Sequence, residues 1–132
     1  MILGKSYIAA ALMLVTGGSD MTTQIKIVLD QYIEEIKRII GSDVRNIILY
    51  GSYARGDYKS DSDIDLMILV SCSEDKAVDL QNKLFDVSYD FWYQYDLEIN
   101  PIVKNKSHFI RWVENYPFYN NVQKEGINLY AA

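Results

Sequence analysis

The strongest constraint on the fold is a short run of residues that joins two apolar strands through a Gly-Ser pair. The first apolar segment, residues 44–50, ends at that pair, and the second, residues 63–70, begins with two carboxylates, Asp63 and Asp65. Side chains two positions apart on a strand point to the same face, so the two carboxylates are predicted to lie together. Carboxylates held side by side repel each other unless a hard cation such as Mg²⁺ lies between them. The pattern therefore predicts a metal site where the second strand begins.

The Gly-Ser pair, Gly51 and Ser52, supplies groups that bind anions. A sharp turn from a strand into a helix leaves unpaired backbone N–H groups, and these together with the serine hydroxyl favour a phosphate. Gly51 permits the close backbone approach that a phosphate needs. The ten residues 53–62 are rich in Gly, Ser, Asp and Lys, enough for one helical turn and a loop back to a neighbouring strand. Phosphate and metal are thus predicted to meet in one cleft.

A calcium loop is the main competing interpretation of the acidic stretch. An EF-hand loop needs ligands at alternating positions, a central glycine and a glutamate at the twelfth position. Residues 61–65 instead run directly into an apolar strand. The calcium interpretation is therefore disfavoured.

At these residues the chain resembles the nucleotidyltransferase superfamily that includes DNA polymerase beta and the aminoglycoside nucleotidyltransferases. The signature of that superfamily is Gly-Ser, a spacer of about ten residues, and Asp-x-Asp. The spacer here also contains Arg55-Gly56-Asp57, which matches a sequence motif common in small bacterial members. The resemblance implies an α/β (α+β) polymerase-beta-like nucleotidyltransferase fold, with a small mixed sheet packed against helices.

The resemblance also implies roles for individual residues. Asp63 and Asp65 would hold Mg²⁺, with two ions expected, and ATP would be the substrate. Gly51 and Ser52 would cradle the outer phosphates. Arg55 would either steady the leaving pyrophosphate or pair with a carboxylate such as Asp57, and the sequence leaves both roles open.

A third carboxylate on the neighbouring strand completes the metal site in that superfamily. Residues 96–103 are predicted to form this strand, and they offer Asp96 and Glu98 on one face. Asp96 keeps the distance to the following proline seen in polymerase-like members, whereas Glu98 keeps that of some drug-modifying members. Asp96 is the preferred third ligand and Glu98 the alternative.

Length and charge limit the other functional classes. The 132 residues suit one domain, and 49% apolar with 23% charged residues is the balance of a globular protein. A net charge of −5 argues against direct binding of duplex nucleic acid, which depends on a basic patch. The single cysteine, Cys72, excludes an internal disulfide.

The first twenty residues are set apart from the rest. Residues 7–15 form an apolar run behind Lys5 that loosely imitates a secretory signal peptide, but the run is too short to span a bilayer. We expect residues 1–20 to be an extra or poorly ordered segment and residues 21–132 to form the nucleotidyltransferase domain. The domain is expected in the cytoplasm without membrane contact.

Helices and strands alternate along the domain. Residues 22–40 are predicted to form an amphipathic helix that is capped by Thr22 or Thr23 and ends at Gly41. After the second strand, Ser71 to Glu74 offers a capping box for a helix with one apolar face. In the tail, we predict a helix that is capped by Ser107 and runs through Val113, and a second helix that begins at Pro117 and ends at Gly126. A short last strand is predicted over residues 127–130.

A group of aromatic residues occurs near the end of the long central helix. Its members are Tyr89, Phe91, Trp92, Tyr93 and Tyr95. A helix that packs on a small sheet commonly buries such rings, so we expect most of them in the core. Only some would be left to stack on an adenine base.

The tail extends the resemblance and points to a partner. Residues 118–130 resemble the C-terminal sequence of minimal nucleotidyltransferases. These small stand-alone domains often occur beside a small helical HEPN protein. Larger members carry a separate domain that binds the acceptor, and this chain has no length left for one, so a second chain or a homo-oligomer must supply that surface. The resemblance implies an antitoxin that transfers AMP to a tyrosine of a HEPN-family toxin. The alternatives are a small-molecule nucleotidyltransferase and a non-catalytic nucleotide-binding module.

Overall fold

The structure is a computed structural model that describes residues 22–132. The segment predicted to be extra or poorly ordered, residues 1–20, lies outside the described residues. In chain order the elements are α1 (Thr23–Ile40), a 3₁₀ turn (Gly41–Asp43), β1 (Val44–Tyr50), α2 (Ser52–Arg55), β2 (Ile64–Val70), α3 (Glu74–Tyr95), β3 (Ile99–Asn105), α4 (Lys106–Trp112), α5 (Pro117–Glu125) and β4 (Ile127–Ala131).

The four strands form one mixed sheet in the order β3-β2-β1-β4. β1 is antiparallel to both β2 and β4, whereas β2 is parallel to β3. The α3 helix provides the crossover that a parallel pair requires. The predicted small mixed sheet is confirmed.

Helices cover both faces of the sheet. On one face, α1 and α3 close a core around Tyr32, Ile36, Leu66 and Leu84. On the other face, α4 and α5 pack on a smaller cluster, formed by Ile48, Tyr50, Met67, Leu69, Phe109, Tyr119 and Val122. Because β2 is covered on both sides, its residues from Leu66 to Val70 are buried without alternation.

The first helix follows its sequence signals closely. The Thr22 hydroxyl accepts a hydrogen bond from the Ile25 N–H at 3.2 Å and so caps α1. Gly41 ends the helix with a φ of 73°. The prediction for residues 22–40 is therefore confirmed, with Thr22 rather than Thr23 as the cap.

Two predicted helix caps are wrong by two residues. Ser73, not Ser71, caps α3 and accepts from the Lys76 N–H. The Ser71 hydroxyl instead donates to Asp43 Oδ1 at 2.9 Å and ties the end of β2 to the turn before β1. At α4 the cap is Asn105, whose Oδ1 accepts from the His108 N–H, because β3 runs on to that residue and the helix begins before Ser107.

The predicted start of the third strand is also wrong. Asp96 does not open β3 but ends α3, with a φ of 53° and its N–H donated to the Trp92 carbonyl. Aspartate tolerates this left-handed conformation better than most residues, so it can end a helix as glycine often does. The strand begins only at Ile99.

The tail agrees with its sequence signals. Pro117 begins α5, Gly126 follows its last residue, and β4 extends one residue beyond the prediction. None of the helices within residues 22–132 is long and apolar enough to cross a membrane.

The predicted burial of the aromatic group is wrong for three of its members. Tyr89, Trp92 and Tyr93 are 64%, 50% and 88% exposed. Only Phe91 and Tyr95 turn inward, and Phe91 meets Tyr32 edge-on. The difference follows from helix geometry, since residues 89 and 92 lie about 140° and 80° around the axis of α3 from Leu84 and so point away from the sheet.

Candidate active site

A tight turn between β1 and α2 forms one wall of the site. Gly51 has a φ of 75°, a conformation that side chains strongly disfavour. A Cβ at this position would overlap with Asp65 Oδ2. Glycine is therefore required both by the backbone and by the close approach of the acid.

The two carboxylates of the Asp-x-Asp pair stand beside this turn. Asp63 immediately precedes β2, and Asp65 lies within it, opposite Tyr50 of β1. Burial raises the pKa of the Asp65 carboxyl, and the nearby charge of Asp63 raises it further. The two carboxylates therefore lie close enough for their negative charges to repel each other, as the spacing predicted.

The parallel strand β3 brings two more polar side chains to the pair. Its register places Asn100 beside Asp65, and the Ile64 N–H donates to the Glu98 carbonyl at 2.9 Å. The Asn100 amide donates to Asp63 Oδ2 at 2.9 Å. A hydrogen bond with Asp63 raises the pKa of the Glu98 carboxyl.

The sequence-based preference for Asp96 does not match this arrangement. Asp96 lies at the end of α3 and lines a different cavity, together with Thr22 and Tyr58. The side chains that contact Asp63 come instead from Glu98 and Asn100. Register explains the difference, because only residues paired with the start of β2 can reach it.

A carboxylate that sequence reasoning missed occupies the anion-binding groups of the turn. Glu125, the last residue of α5, accepts from the Gly51 N–H at 3.2 Å and from Arg55 Nη1 at 3.2 Å. Arg55 also donates to Asp57 Oδ2 at 3.3 Å, which is the ion pair left open by the sequence. Hydrogen bonds to these two acids raise the pKa of the Arg55 guanidinium. No local spacing connects residue 125 with residue 51, so only the packing of α5 on the sheet reveals the contact.

The oxygen atoms at the start of β2 suit a hard cation. Within residues 22–132, no three His, Cys, Asp or Glu side chains are already arranged around a common metal position. The neighbouring Asp63 raises the pKa of the Glu98 carboxyl, and a cation bound between the two side chains would relieve the repulsion between their charges. Carboxylate oxygens are the ligands that Mg²⁺ prefers. The chemistry of this donor set therefore fits Mg²⁺.

A cavity of about 490 Å³ opens on the same face of the sheet. Ile102 and Lys104 of β3 form one side, and Phe118 and Tyr119 form the other. The Phe118 ring meets the Tyr50 ring edge-on with 5.6 Å between centroids. Since Tyr50 pairs with Asp65, this ring contact joins the cavity wall to the acidic pair.

Comparison with known proteins agrees with this geometry. The family described as "Nucleotidyltransferase domain" matches residues 29–119. Two proteins of Methanocaldococcus jannaschii, both named "Putative protein adenylyltransferase", are 35% identical to this chain. One alignment covers 77% of this chain and 94% of the relative, and the other covers 67% and 91%. A crystal structure of a "putative nucleotidyltransferase" from Sulfolobus solfataricus superposes with a TM-score of 0.52 at 14% identity, over 95% of this chain and 87% of its own.

The chain belongs to the nucleotidyltransferase domain family. It is accordingly an enzyme of nucleotidyl transfer, and the resemblance and fold expected from the Gly-Ser and Asp-x-Asp residues are confirmed.

Proposed function

We propose that this protein transfers AMP from ATP to a tyrosine hydroxyl of a HEPN-family toxin and thereby acts as an antitoxin. The observation that carries the proposal is the closeness of Asp63 and Asp65 beside the Gly51 turn, with Glu98 next to Asp63. The names of the relatives support protein adenylylation. The resemblance of the sequence of residues 118–130 to minimal nucleotidyltransferases supports the HEPN partner.

In this proposal the carboxylates act through Mg²⁺. Asp63, Asp65 and Glu98 would hold two Mg²⁺ ions, which when bound offset the triphosphate charge and lower the pKa of the acceptor hydroxyl. The hydroxyl oxygen forms a bond to the α-phosphorus, the bond from that phosphorus to the bridging oxygen breaks, and pyrophosphate leaves. The hydroxyl proton passes to solvent.

The turn would bind the outer phosphates. The Gly51 N–H, the Ser52 hydroxyl and Arg55 are the donors available beside the acidic pair. Glu125 now holds two of these donors, so the triphosphate would displace its carboxylate. The cavity beside Phe118 has a size and an aromatic wall suited to the base.

The acceptor would come from a second protein. The α and β elements of residues 22–132 are used in one sheet and its covering helices, and none forms a further acceptor-binding domain. ATP is the substrate we propose because the relatives are named adenylyltransferases, and the reaction is assigned to the cytoplasm, where ATP is available.

Intact-mass spectrometry provides the test. The protein is incubated with ATP, Mg²⁺ and a HEPN-like protein encoded next to it, and the neighbour is expected to gain one or more AMP units at tyrosine. Asp63→Asn should abolish the gain in mass. Asp61→Asn is the matched control, because Asp61 is exposed two positions earlier in the same loop, and it should preserve the gain.

Two outcomes would contradict the proposal. If Asp63→Asn labels the neighbour at the wild-type rate, the assigned carboxylate is wrong. If the neighbour stays unmodified with all four nucleoside triphosphates while a small hydroxylated compound is labelled, the enzyme acts on small molecules instead.

A further inference from the structure

One exposed flank of α3 carries apolar side chains that no described element fully covers. Four side chains, which we call the outer stripe, are Val78, Phe85, Tyr89 and Trp92, and they are 56%, 46%, 64% and 50% exposed. Their spacing of seven, four and three residues keeps them on one helix face. The Tyr89 and Trp92 rings contact each other edge-on at 6.0 Å between centroids.

The outer stripe is separate from the active site. The side of α3 that packs on the sheet lies about 110° around the helix axis from the stripe and carries Ala77, Leu80 and Leu84, all buried. The acidic pair and the Gly51 turn belong to the sheet and its far face. Large apolar side chains that are grouped on one exposed helix face commonly mark an interaction site.

A row of carboxylates runs along one side of the outer stripe. This acidic row consists of exposed side chains about 100° around the helix axis from the stripe, namely Asp75, Asp79, Asp86 and Asp90. The lysines of the helix, Lys76 and Lys83, lie beyond the row on the far side from the stripe. Lys76 also pairs with Asp43 at 3.7 Å. The surface is therefore apolar in the middle and negative along one border.

We infer that the outer stripe docks an amphipathic helix of another protein whose apolar face is bordered by lysine or arginine. The stripe extends over fifteen residues, and the fourteen rises of 1.5 Å between its ends give about 21 Å, which is the length of a four-turn helix. Basic residues along one border of such a helix would meet the acidic row. A second copy of this chain fits less well, because stripe-to-stripe contact would present no cation to that row.

A pair of synthetic peptides tests this inference against the full-length protein. Both are amphipathic helices of about four turns with a leucine face. One carries lysine along one border and the other carries glutamate at the same positions. Fluorescence anisotropy of the labelled peptides should show binding of the basic peptide at least tenfold tighter than that of the acidic one. The preference should shrink as the salt concentration rises.

Variants then locate the binding site. Phe85→Ser should weaken binding of the basic peptide at least tenfold, and Trp92→Ser should act similarly. The double change Asp86→Asn with Asp90→Asn should weaken it about threefold to tenfold and flatten its salt dependence. Ile110→Ser is the matched control, since Ile110 is 59% exposed on α4 outside the stripe, and it should leave binding unchanged.

Several results would overturn the inference. Equal affinity for the two peptides, no binding of either, or no effect of both Phe85→Ser and Trp92→Ser would each reject it. Light scattering that shows a dimer converted to a monomer by Phe85→Ser would assign the stripe to a second copy. A photo-crosslinker at position 89 that labels residues 1–21 of the same chain would assign the stripe to that segment.

Discussion

At the scale of single residues, the choice of the third acid depends on which strand position faces the start of β2. Glu98 is close enough to Asp63 for a hydrogen bond, whereas Asp96 ends a helix and lines another cavity. A carboxylate that binds a catalytic metal contributes several kcal/mol to transition-state stabilisation. The functional third acid is therefore expected to be Glu98.

We predict that Glu98→Gln lowers the rate of AMP transfer by about a hundredfold or more, the scale of losing one such electrostatic interaction. Asp96→Asn should change the rate by less than about threefold, because its carboxylate does not contact the pair. Single-turnover kinetics at saturating ATP and Mg²⁺ measure both. A larger loss for Asp96→Asn than for Glu98→Gln would restore Asp96 as the ligand.

Glu125 allows a second prediction at this scale. Its carboxylate accepts hydrogen bonds from Gly51 and Arg55, the groups assigned to the phosphates. Glu125→Gln removes the negative charge that competes with the triphosphate, so ATP should bind about threefold to tenfold more tightly. Isothermal titration calorimetry with ATP measures the change, and Asp57→Asn, which removes the other partner of Arg55, is the comparison. Weaker binding in Glu125→Gln would mean that Glu125 orients the turn for the nucleotide.

At the scale of elements, the β1–α2 turn combines backbone strain with close packing, and two glycines allow these effects to be separated. Gly41 and Gly51 have similar positive φ angles, 73° and 75°. A Cβ at Gly41 meets nothing within 4 Å, whereas one at Gly51 would overlap with the Asp65 carboxylate. Gly41→Ala thus reports the backbone cost alone.

We predict that Gly41→Ala lowers the free energy of unfolding by about 1–3 kcal/mol, because its φ of 73° and ψ of −140° lie in a backbone region that few residues other than glycine adopt. Gly51→Ala should cost at least about 1 kcal/mol more, because the Asp65 side chain must move as well. Urea unfolding in EDTA measures both variants. Equal losses would show that Asp65 moves away freely and that the turn does not fix its position.

The elements differ in how far the sequence could predict them. The amphipathic period of α1, the Thr22 cap and the Pro117 and Gly126 signals act over a few residues, and the structure follows them. The caps at Ser73 and Asn105 depend on where β2 and β3 stop, which tertiary pairing decides. Exposure of Tyr89 and Trp92 could have been predicted from the period of α3, which places both rings away from the face of Leu80 and Leu84.

The residues of the site also differ in how far the sequence could predict them. Gly51, Ser52, Asp63 and Asp65 form one local pattern on adjacent strands, so the sequence was sufficient to place them side by side. The roles of these residues and of Arg55 stay predictions. Glu98, Asn100 and Glu125 reach the site through strand register and helix packing, which no short spacing records.

At the scale of the whole molecule, negative charge is concentrated where a negative substrate must bind. The chain has a net charge of −5, and Asp63, Asp65, Glu98 and Glu125 all surround the site proposed for a triphosphate. Coulomb repulsion of this kind lowers both the stability of the folded state and the affinity for nucleotide unless cations bind. Folding stability should therefore depend on pH and on Mg²⁺ through the same carboxylates.

The last prediction concerns how the stability of the fold changes with pH through the Asp65 carboxyl. Its pKa is raised in the folded state, chiefly by burial, so the ionised carboxylate destabilises the fold above that pKa, and the cost disappears below the unfolded value of about 3.9. In EDTA at pH 7, Asp65→Asn should raise Tm by roughly 1–4 °C, and its advantage should shrink as the pH falls toward the unfolded pKa of about 3.9. Asp61→Asn, at an exposed position, should show no such pH-dependent difference. Mg²⁺ should raise the Tm of the wild type and have little effect on Asp65→Asn. Differential scanning calorimetry measures the Tm of the wild type and both variants under these conditions. A Tm for Asp65→Asn below that of the wild type in EDTA would show that the carboxylate stabilises the fold without a cation.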